Sequence, residues 1–188
     1  MTTRTGLLLA PGAGADRNQS ALVAIDEAVT AAGATVVRMD FPYRRAGRRA
    51  PDKAAVLVRA VVEEAERLQE EVDRLVLGGR SMGGRMCSMA VADGLRADGL
   101  VLVSYPLHPP GKPERLRTEH FPQISVPCLF VSGTRDAFGN PGELQGAARE
   151  IRGTTAFEWV EGKDHAMRGT DQLVAATVVA WMRAGGLF

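Results

Sequence analysis

Short apolar runs alternate with longer amphipathic ones along the chain. The apolar runs fall at residues 6–10, 34–41, 74–79, 99–105, 126–132 and 155–161. Several are apolar at nearly every position, as in Leu100-Val101-Leu102-Val103 and Cys128-Leu129-Phe130-Val131. A strand with one wet face would alternate apolar and polar residues. Continuous apolarity instead predicts strands buried on both faces of a parallel sheet. Between them, helical periodicity covers residues 19–32, 52–72, 82–93, 141–151 and 171–184. Leu22, Ile25 and Val29 share one face of the first helix, which stops at Gly33. Leu57, Val61, Ala65, Leu68 and Val72 form one stripe of the second, with glutamates opposite. Asn140, Pro141 and Glu143 make a helix-start signature with proline at the first position. The last helix buries Val174, Val178 and Trp181 and ends at Gly185-Gly186. Strand–helix alternation predicts an α/β fold of about six mostly parallel strands with helices on both faces. No repeat or linker interrupts it, so a single domain over residues 1–188 is expected.

Composition narrows the partners. The 188 residues are 45% hydrophobic, enough to bury one core. A net charge of +1 gives no case for nucleic acid or an anionic membrane. Cys87 and Cys128 sit in apolar runs and are expected as buried thiols rather than a disulfide. With three histidines and no ligand spacing, neither a metal nor another cofactor is expected. Arg4 followed by Leu7-Leu8-Leu9-Ala10 imitates a signal peptide, but Pro11-Gly12 ends the run too soon. The longest apolar run, residues 173–182, is about half of the roughly 20 residues a membrane span needs. A cytoplasmic protein is expected.

The candidate chemistry begins where residues 75–79 run into Gly79-Arg80-Ser81-Met82-Gly83 and then a helix. A bare G-x-S-x-G arises by chance in roughly one chain in ten to twenty of this length. Between a strand and a helix it has a mechanical meaning. The serine stands on a strained turn, and glycines two residues either side avoid a collision across it. A serine hydroxyl needs a base and a group to orient that base. Asp136, just after an apolar strand, and His165, after the last strand, supply both in the order Ser, Asp, His. All three then lie at the carboxyl edge of the sheet, where open α/β folds bind ligands. Taken singly, an Asp after a glycine turn is often only a turn former, and a histidine in a polar loop is often only solvated. Asp164 adjoins His165 in sequence and would diverge from it; Asp171 follows His165 and is the weaker alternative. For an oxyanion hole, the backbone N–H of Met82 is one donor. The small-residue loop Pro11-Gly12-Ala13-Gly14-Ala15-Asp16 supplies the second, assigned to Ala13 with Gly14 as a fallback. That loop lacks the spacing of a nucleotide-binding glycine loop.

These residues resemble the α/β-hydrolase superfamily over essentially the whole chain. Leu7 to Gly12 looks like that fold's third strand and oxyanion loop. The resemblance therefore implies a minimal fold with strand order 4-3-5-6-7-8. More narrowly, Pro11 to Asp16, Gly78 to Arg85, Tyr105 to Lys112 and Gly133 to Asp136 resemble a compact subfamily. It groups bacterial hydrolases, distantly similar to dienelactone hydrolases, with testis-expressed protein 30 and a subunit of the NSL acetyltransferase complex. Dienelactone hydrolases carry a cysteine nucleophile, whereas this chain has Ser81, so their substrate class does not carry over.

Residues 104–126, where relatives insert a lid, are short and proline-rich here, with one turn expected around Glu114 to Arg117. No cap domain and an open cleft are expected, with Gly12, Tyr105 and His108 bordering it. His108 reads equally well as a loop-packing residue. Arg44, Arg45, Arg48, Arg49 and Lys53 form a basic cluster, either a selector of acidic substrates or a solvated loop balanced by the acids of Glu63 to Asp73. Arg80 and Arg85 add to a positive rim. The expected activity is hydrolysis of a small-molecule ester or thioester through an acyl-enzyme. Transfer to another acceptor would use the same intermediate, and a non-catalytic interaction protein would keep the fold without the chemistry.

Overall fold

The computed structural model describes residues 3–188. Its six strands are β1 (Thr5–Ala10), β2 (Thr35–Arg38), β3 (Arg74–Arg80), β4 (Gly99–Val103), β5 (Cys128–Gly133) and β6 (Thr155–Val160). They form one sheet in the order β2-β1-β3-β4-β5-β6, and every neighbouring pair is parallel. This is the order the family resemblance implies. The strands with continuous apolar runs are the central ones: β1, β4 and β5 are buried at every position. The edge strands β2 and β6 keep partly exposed positions, as strands with one unpaired side should.

Six helices cover the sheet: α1 (Ser20–Ala31), α2 (Pro42–Arg45), α3 (Ala54–Gln69), α4 (Met82–Ala92), α5 (Pro141–Ala148) and α6 (Asp171–Ala184). The two-residue period of the strands sorts the core into two layers. Leu7, Leu9, Val76, Val101 and Val131 point to one face and pack with Leu22, Ile25 and Val29 of α1 and Val174, Val178 and Met182 of α6. Leu8, Ala10, Leu77, Leu102 and Phe130 point to the other, against α3, α4 and α5. The chain leaves β1 toward β2 and returns to β3 on β1's opposite side. The direction of winding thus reverses between β1 and β3. The loops that follow these two strands part there and open a crevice at their carboxyl ends.

Several boundaries differ from expectation. The run at 34–41 is strand only over Thr35–Arg38; Phe41 then caps α2, whose Pro42 fits the first helical turn because its missing N–H costs nothing there. The helix expected over 52–72 stops at Gln69, although Val72 is buried beyond it. Trp181 is half-buried rather than buried: its ring lies over the start of β4, where a β-carbon on Gly99 would come within 2.8 Å of it. The turn expected at Glu114 to Arg117 closes earlier, with Arg115 N–H donating to Lys112 O at 3.0 Å. A short 3-10 turn at Phe121–Gln123 went unread. The asparagine signature holds: Asn140 and Glu143 form a reciprocal capping box on α5. Cys87 and Cys128 are buried and unbridged. Among the described residues no helix is long and apolar enough to cross a membrane, and no group of three or more metal-ligating side chains occurs. No cap covers the carboxyl edge; residues 104–126 are loop apart from the 3-10 turn.

Phe130 is fully buried and stacks on Phe157 at 5.3 Å between centroids. Phe130→Ala is expected to lower the unfolding free energy by about 3–5 kcal/mol in urea titrations. Val56→Ala, on exposed surface, should stay within about 0.5 kcal/mol.

Candidate active site

β3 ends at Arg80 and α4 begins at Met82, so Ser81 alone makes the turn. Its backbone sits at φ 51, ψ −117, a region L-residues avoid. The neighbouring strand holds it there: Ser81 N–H donates to Val103 O at 2.8 Å. The flanking glycines are explained by close approach. A β-carbon on Gly79 would lie 2.8 Å from the Gly83 carbonyl carbon, across the turn as expected. One on Gly83 would strike the carbonyl groups of Ala10 and Pro11 instead, with Pro11 O at 2.6 Å. The second glycine thus serves the contact between α4 and the loop after β1.

Asp136 and His165 meet at the ends of β5 and β6. Gly133 lets the two loops touch, since a β-carbon there would lie 2.9 Å from Asp164 O. Arg135 N–H donates to Lys163 O at 2.9 Å, and Gly162 N–H to Thr134 Oγ1 at 2.9 Å. The Asp136 side chain, 1% exposed, takes His165 Nδ1 at 2.8 Å on Oδ2 and 3.0 Å on Oδ1. Phe138 N–H also donates to Asp136 Oδ1 at 2.8 Å. His165 Nε2 lies 2.9 Å from Ser81 Oγ. With Nδ1–H directed to the carboxylate, Nε2 is left to accept from the serine hydroxyl. The Phe138 ring packs on the imidazole at 4.1 Å between centroids. Arg80 donates to His165 O at 2.6 Å. Burial lowers the Arg80 pKa from its ordinary value, opposed by Asp136, Asp171 and Asp164. Asp164 itself caps a turn through Ala166 N–H, and Asp171 opens α6.

In the loop after β1, Gly12 N–H donates to Gln19 Oε1 at 3.0 Å and Gly14 N–H to Tyr43 Oη at 3.1 Å. Between them Ala13 N–H meets no acceptor among the described residues, nor does Met82 N–H at the start of α4. Gly14, the fallback donor, is therefore engaged. Gly12, Ala13, Ser81, Met82 and His165 line one cavity of about 470 Å³, together with Gln19, Arg80, Arg85, Pro106, Arg117 and Phe138. A groove of about 530 Å³ at the opposite edge of the sheet, near Asp73 and Asp98, holds no histidine.

Two expected cleft residues are not in that cavity. Tyr105 is 1% exposed; its ring packs against Phe121 and Phe130, and its hydroxyl donates to Arg117 O at 3.0 Å. Burial raises its pKa. His108 is buried too, with Nδ1 2.8 Å from Pro109 O and Nε2 3.4 Å from Glu143 Oε2. It docks the loop onto the capping box of α5. Both side chains turned inward because the capless loop has no other core to fold on. The basic cluster also stays outside the cavity. Arg44 pairs with Asp16, Arg45 with Glu64 and Arg48 with Asp52, so it is largely a neutralised surface. Reading the sequence missed Phe138, Gln19 and Arg117, which carry no motif signal.

A second serine–histidine contact joins Ser88 Oγ to His120 Nε2 at 2.8 Å. Ser88 is fully buried and donates its only proton to Arg85 O at 2.8 Å, so His120 serves it as donor. That pair is packing, not a nucleophile and its base.

A family model for an alpha/beta hydrolase domain matches residues 3–181, and the chain belongs to that family. Solved structures share the fold at low identity. Est1E from Butyrivibrio proteoclasticus is 14% identical, with TM-score 0.80, over 99% of this chain and 90% of its own. An alpha-beta serine hydrolase homologue from Coxiella burnetii is 20% identical, with TM-score 0.76, over 96% and 86%. Dienelactone hydrolase from Anabaena variabilis is 17% identical, with TM-score 0.76, over 97% and 87%.

Burial, and then Arg85, pushes the His120 pKa from 6.5 down to about 4. The folded state therefore prefers the neutral ring. Its contribution is complete above pH 6.5 and is lost as pH falls toward 4. The full shift corresponds to about 3 kcal/mol, reduced to on the order of 1–2 kcal/mol by solvent near a half-buried ring. In urea titrations from pH 7 to 4, His120→Gln should lose less stability than wild type. Parallel curves would refute the assignment.

Proposed function

We propose that the chain is a serine hydrolase that cleaves a small carboxylic ester or thioester through an acyl-enzyme on Ser81. The observation that carries this reading is the 2.9 Å contact between Ser81 Oγ and His165 Nε2, with Asp136 on the far nitrogen. His165 takes the hydroxyl proton as Ser81 Oγ attacks the substrate carbonyl, and Asp136 holds the imidazole in the required tautomer. The negative oxygen that forms is received by the N–H groups of Met82 and Ala13, each worth on the order of 3 kcal/mol. The positive end of α4 adds to that field. The tetrahedral intermediate collapses, His165 gives its proton to the leaving oxygen or sulfur, and the acyl group stays on Ser81. Water, deprotonated by His165, then attacks the acyl-enzyme and releases a carboxylic acid and free Ser81.

A non-catalytic role for the fold would be favoured by a plugged elbow or a withdrawn histidine. The open cavity and the Ser81–His165 contact weigh against it. A fluorophosphonate probe should label wild type and leave Ser81→Ala unlabelled; equal labelling of both would sink the proposal. Asp136→Asn should lower kcat on p-nitrophenyl esters by about 10³–10⁴-fold with the fold intact, because the imidazole takes the wrong tautomer. A loss under tenfold would remove Asp136 from the mechanism.

A further inference from the structure

Three arginines, Arg80, Arg85 and Arg117, line the Ser81 cavity, and no carboxylate does. Arg80 is accounted for by its bond to His165 O and by the field of Asp136, Asp164 and Asp171. Arg85 and Arg117 are not. Neither has a carboxylate oxygen within 4.0 Å among the described residues. Arg85 Nε is buried and has no acceptor. Burial, and then Arg85, lowers the Arg117 pKa from its ordinary value. Two guanidinium groups thus stand in each other's field with a buried donor unsatisfied, an arrangement a bound anion would relieve.

The backbones of both arginines are held in place. Arg85 lies one helical turn beyond Ser81, its N–H donating to Ser81 O at 3.1 Å. Arg117 N–H donates to Leu107 O at 2.8 Å, and its carbonyl accepts from the buried Tyr105 hydroxyl at 3.0 Å. The same two residues wall an outer groove of about 570 Å³ that also holds Glu114 and Glu119. Arg115 also lines that groove, so its charge is mixed, whereas the Ser81 cavity presents the arginine pair with no carboxylate beside it.

We propose that Arg85 and Arg117 form an oxyanion-binding subsite in the Ser81 cavity, which selects esters or thioesters bearing a carboxylate or phosphate near the scissile bond. The planar guanidinium matches either group through paired hydrogen bonds. The proposal rests on Ser81 being the nucleophile.

The test compares kcat/KM within matched pairs. The carboxylate arm sets p-nitrophenyl monoadipate against its neutral methyl ester. The phosphate arm sets p-nitrophenyl 4-(phosphonooxy)butanoate against p-nitrophenyl 4-methoxybutanoate. At least one anionic member should exceed its neutral partner by about tenfold or more, as one charge-assisted hydrogen bond implies. That ratio should shrink in salt, fall toward unity in Arg85→Gln and Arg117→Gln, and be partly kept in Arg117→Lys. Anionic members no better than neutral ones, or ratios untouched by the substitutions, overturn the subsite.

A calorimetric arm separates its failure from that of the hydrolase reading. Monomethyl adipate or methyl 4-(phosphonooxy)butanoate should bind Ser81→Ala and lose about tenfold in affinity when Arg117→Gln is added. Binding of this kind without turnover of any ester keeps the subsite and rejects the nucleophile. Absence of binding by both anions rejects the subsite.

Discussion

The contact of β1's last residues with the first turn of α4 governs the rest of the site. Ala10 is in register with Gly79, and its carbonyl lies where a β-carbon of either Gly79 or Gly83 would be. Nothing but backbone separates the two segments. Met82 N–H belongs to one side of this contact and Ala13 N–H to the other. Their spacing is therefore set by main chain packed on main chain, which has no rotamers to relax. The loop beyond Ala10 is braced on both sides of Ala13, at Gly12 by Gln19 and at Gly14 by Tyr43. Tyr43 comes from α2, the short helix that follows shortly after the early end of β2. A change in β2's exit thus reaches the proposed oxyanion hole through one hydroxyl.

The same edge of the sheet stores the strain. Among the described residues, the non-glycine residues with positive φ are Ser81, Ser104 and Met167. Ser81 and Ser104 follow β3 and β4, and Met167 lies in the loop that carries His165. Such conformations cost of order 1–3 kcal/mol each and persist only where their surroundings over-determine them. Here the parallel ladder does so, extending one residue past the strands. Ser81 N–H bonds Val103 O and Ser104 N–H bonds Val131 O, both at 2.8 Å. Ser81 and Ser104 are thus each held by the strand next to them, and β5, which feeds Asp136, sits at the end of that series; Met167 is held within its own loop by Asp164 O at 3.2 Å. The rigid sheet positions the serine and the acid together, while His165 rides on a loop fastened to β5's end.

What the sequence made legible was whatever depends on local pattern. Continuous apolarity marked the buried strands, and it faded correctly at β2 and β6. The glycines around Ser81, the Asn140 cap and the positions of Asp136 and His165 after strands were all readable, because each is a short-range rule. The distances among those side chains were not, since they depend on loops meeting across β5 and β6. The stretch 104–126 has no period to read. Tyr105 and His108 look like cleft residues by position, yet the loop uses both as its own anchors, against Phe121 and Glu143. Trp181 suggested a buried helix face, but the indole is only partly covered, where it lies over the start of β4 at Gly99. Arg117 gave no signal, because its place beside Arg85 is created by Tyr105 holding its carbonyl.

The absence of a cap bears on which fate of a proposed acyl-enzyme the fold favours. A lid would exclude water and let another acceptor compete for the acyl group. Here no cap covers the Ser81 cavity, so water has ready access and the acyl group is expected to hydrolyse. The same openness leaves a bound substrate only partly enclosed. Selectivity then has to come from a few fixed polar groups at the rim. Exposed charges would be weakened by solvent. The buried Arg85 Nε and the half-buried Arg117 are shielded from it, which makes them the groups best able to discriminate in an otherwise open cleft. Shape would contribute little in such a cleft, and charge would decide which esters reach the serine in a reactive pose.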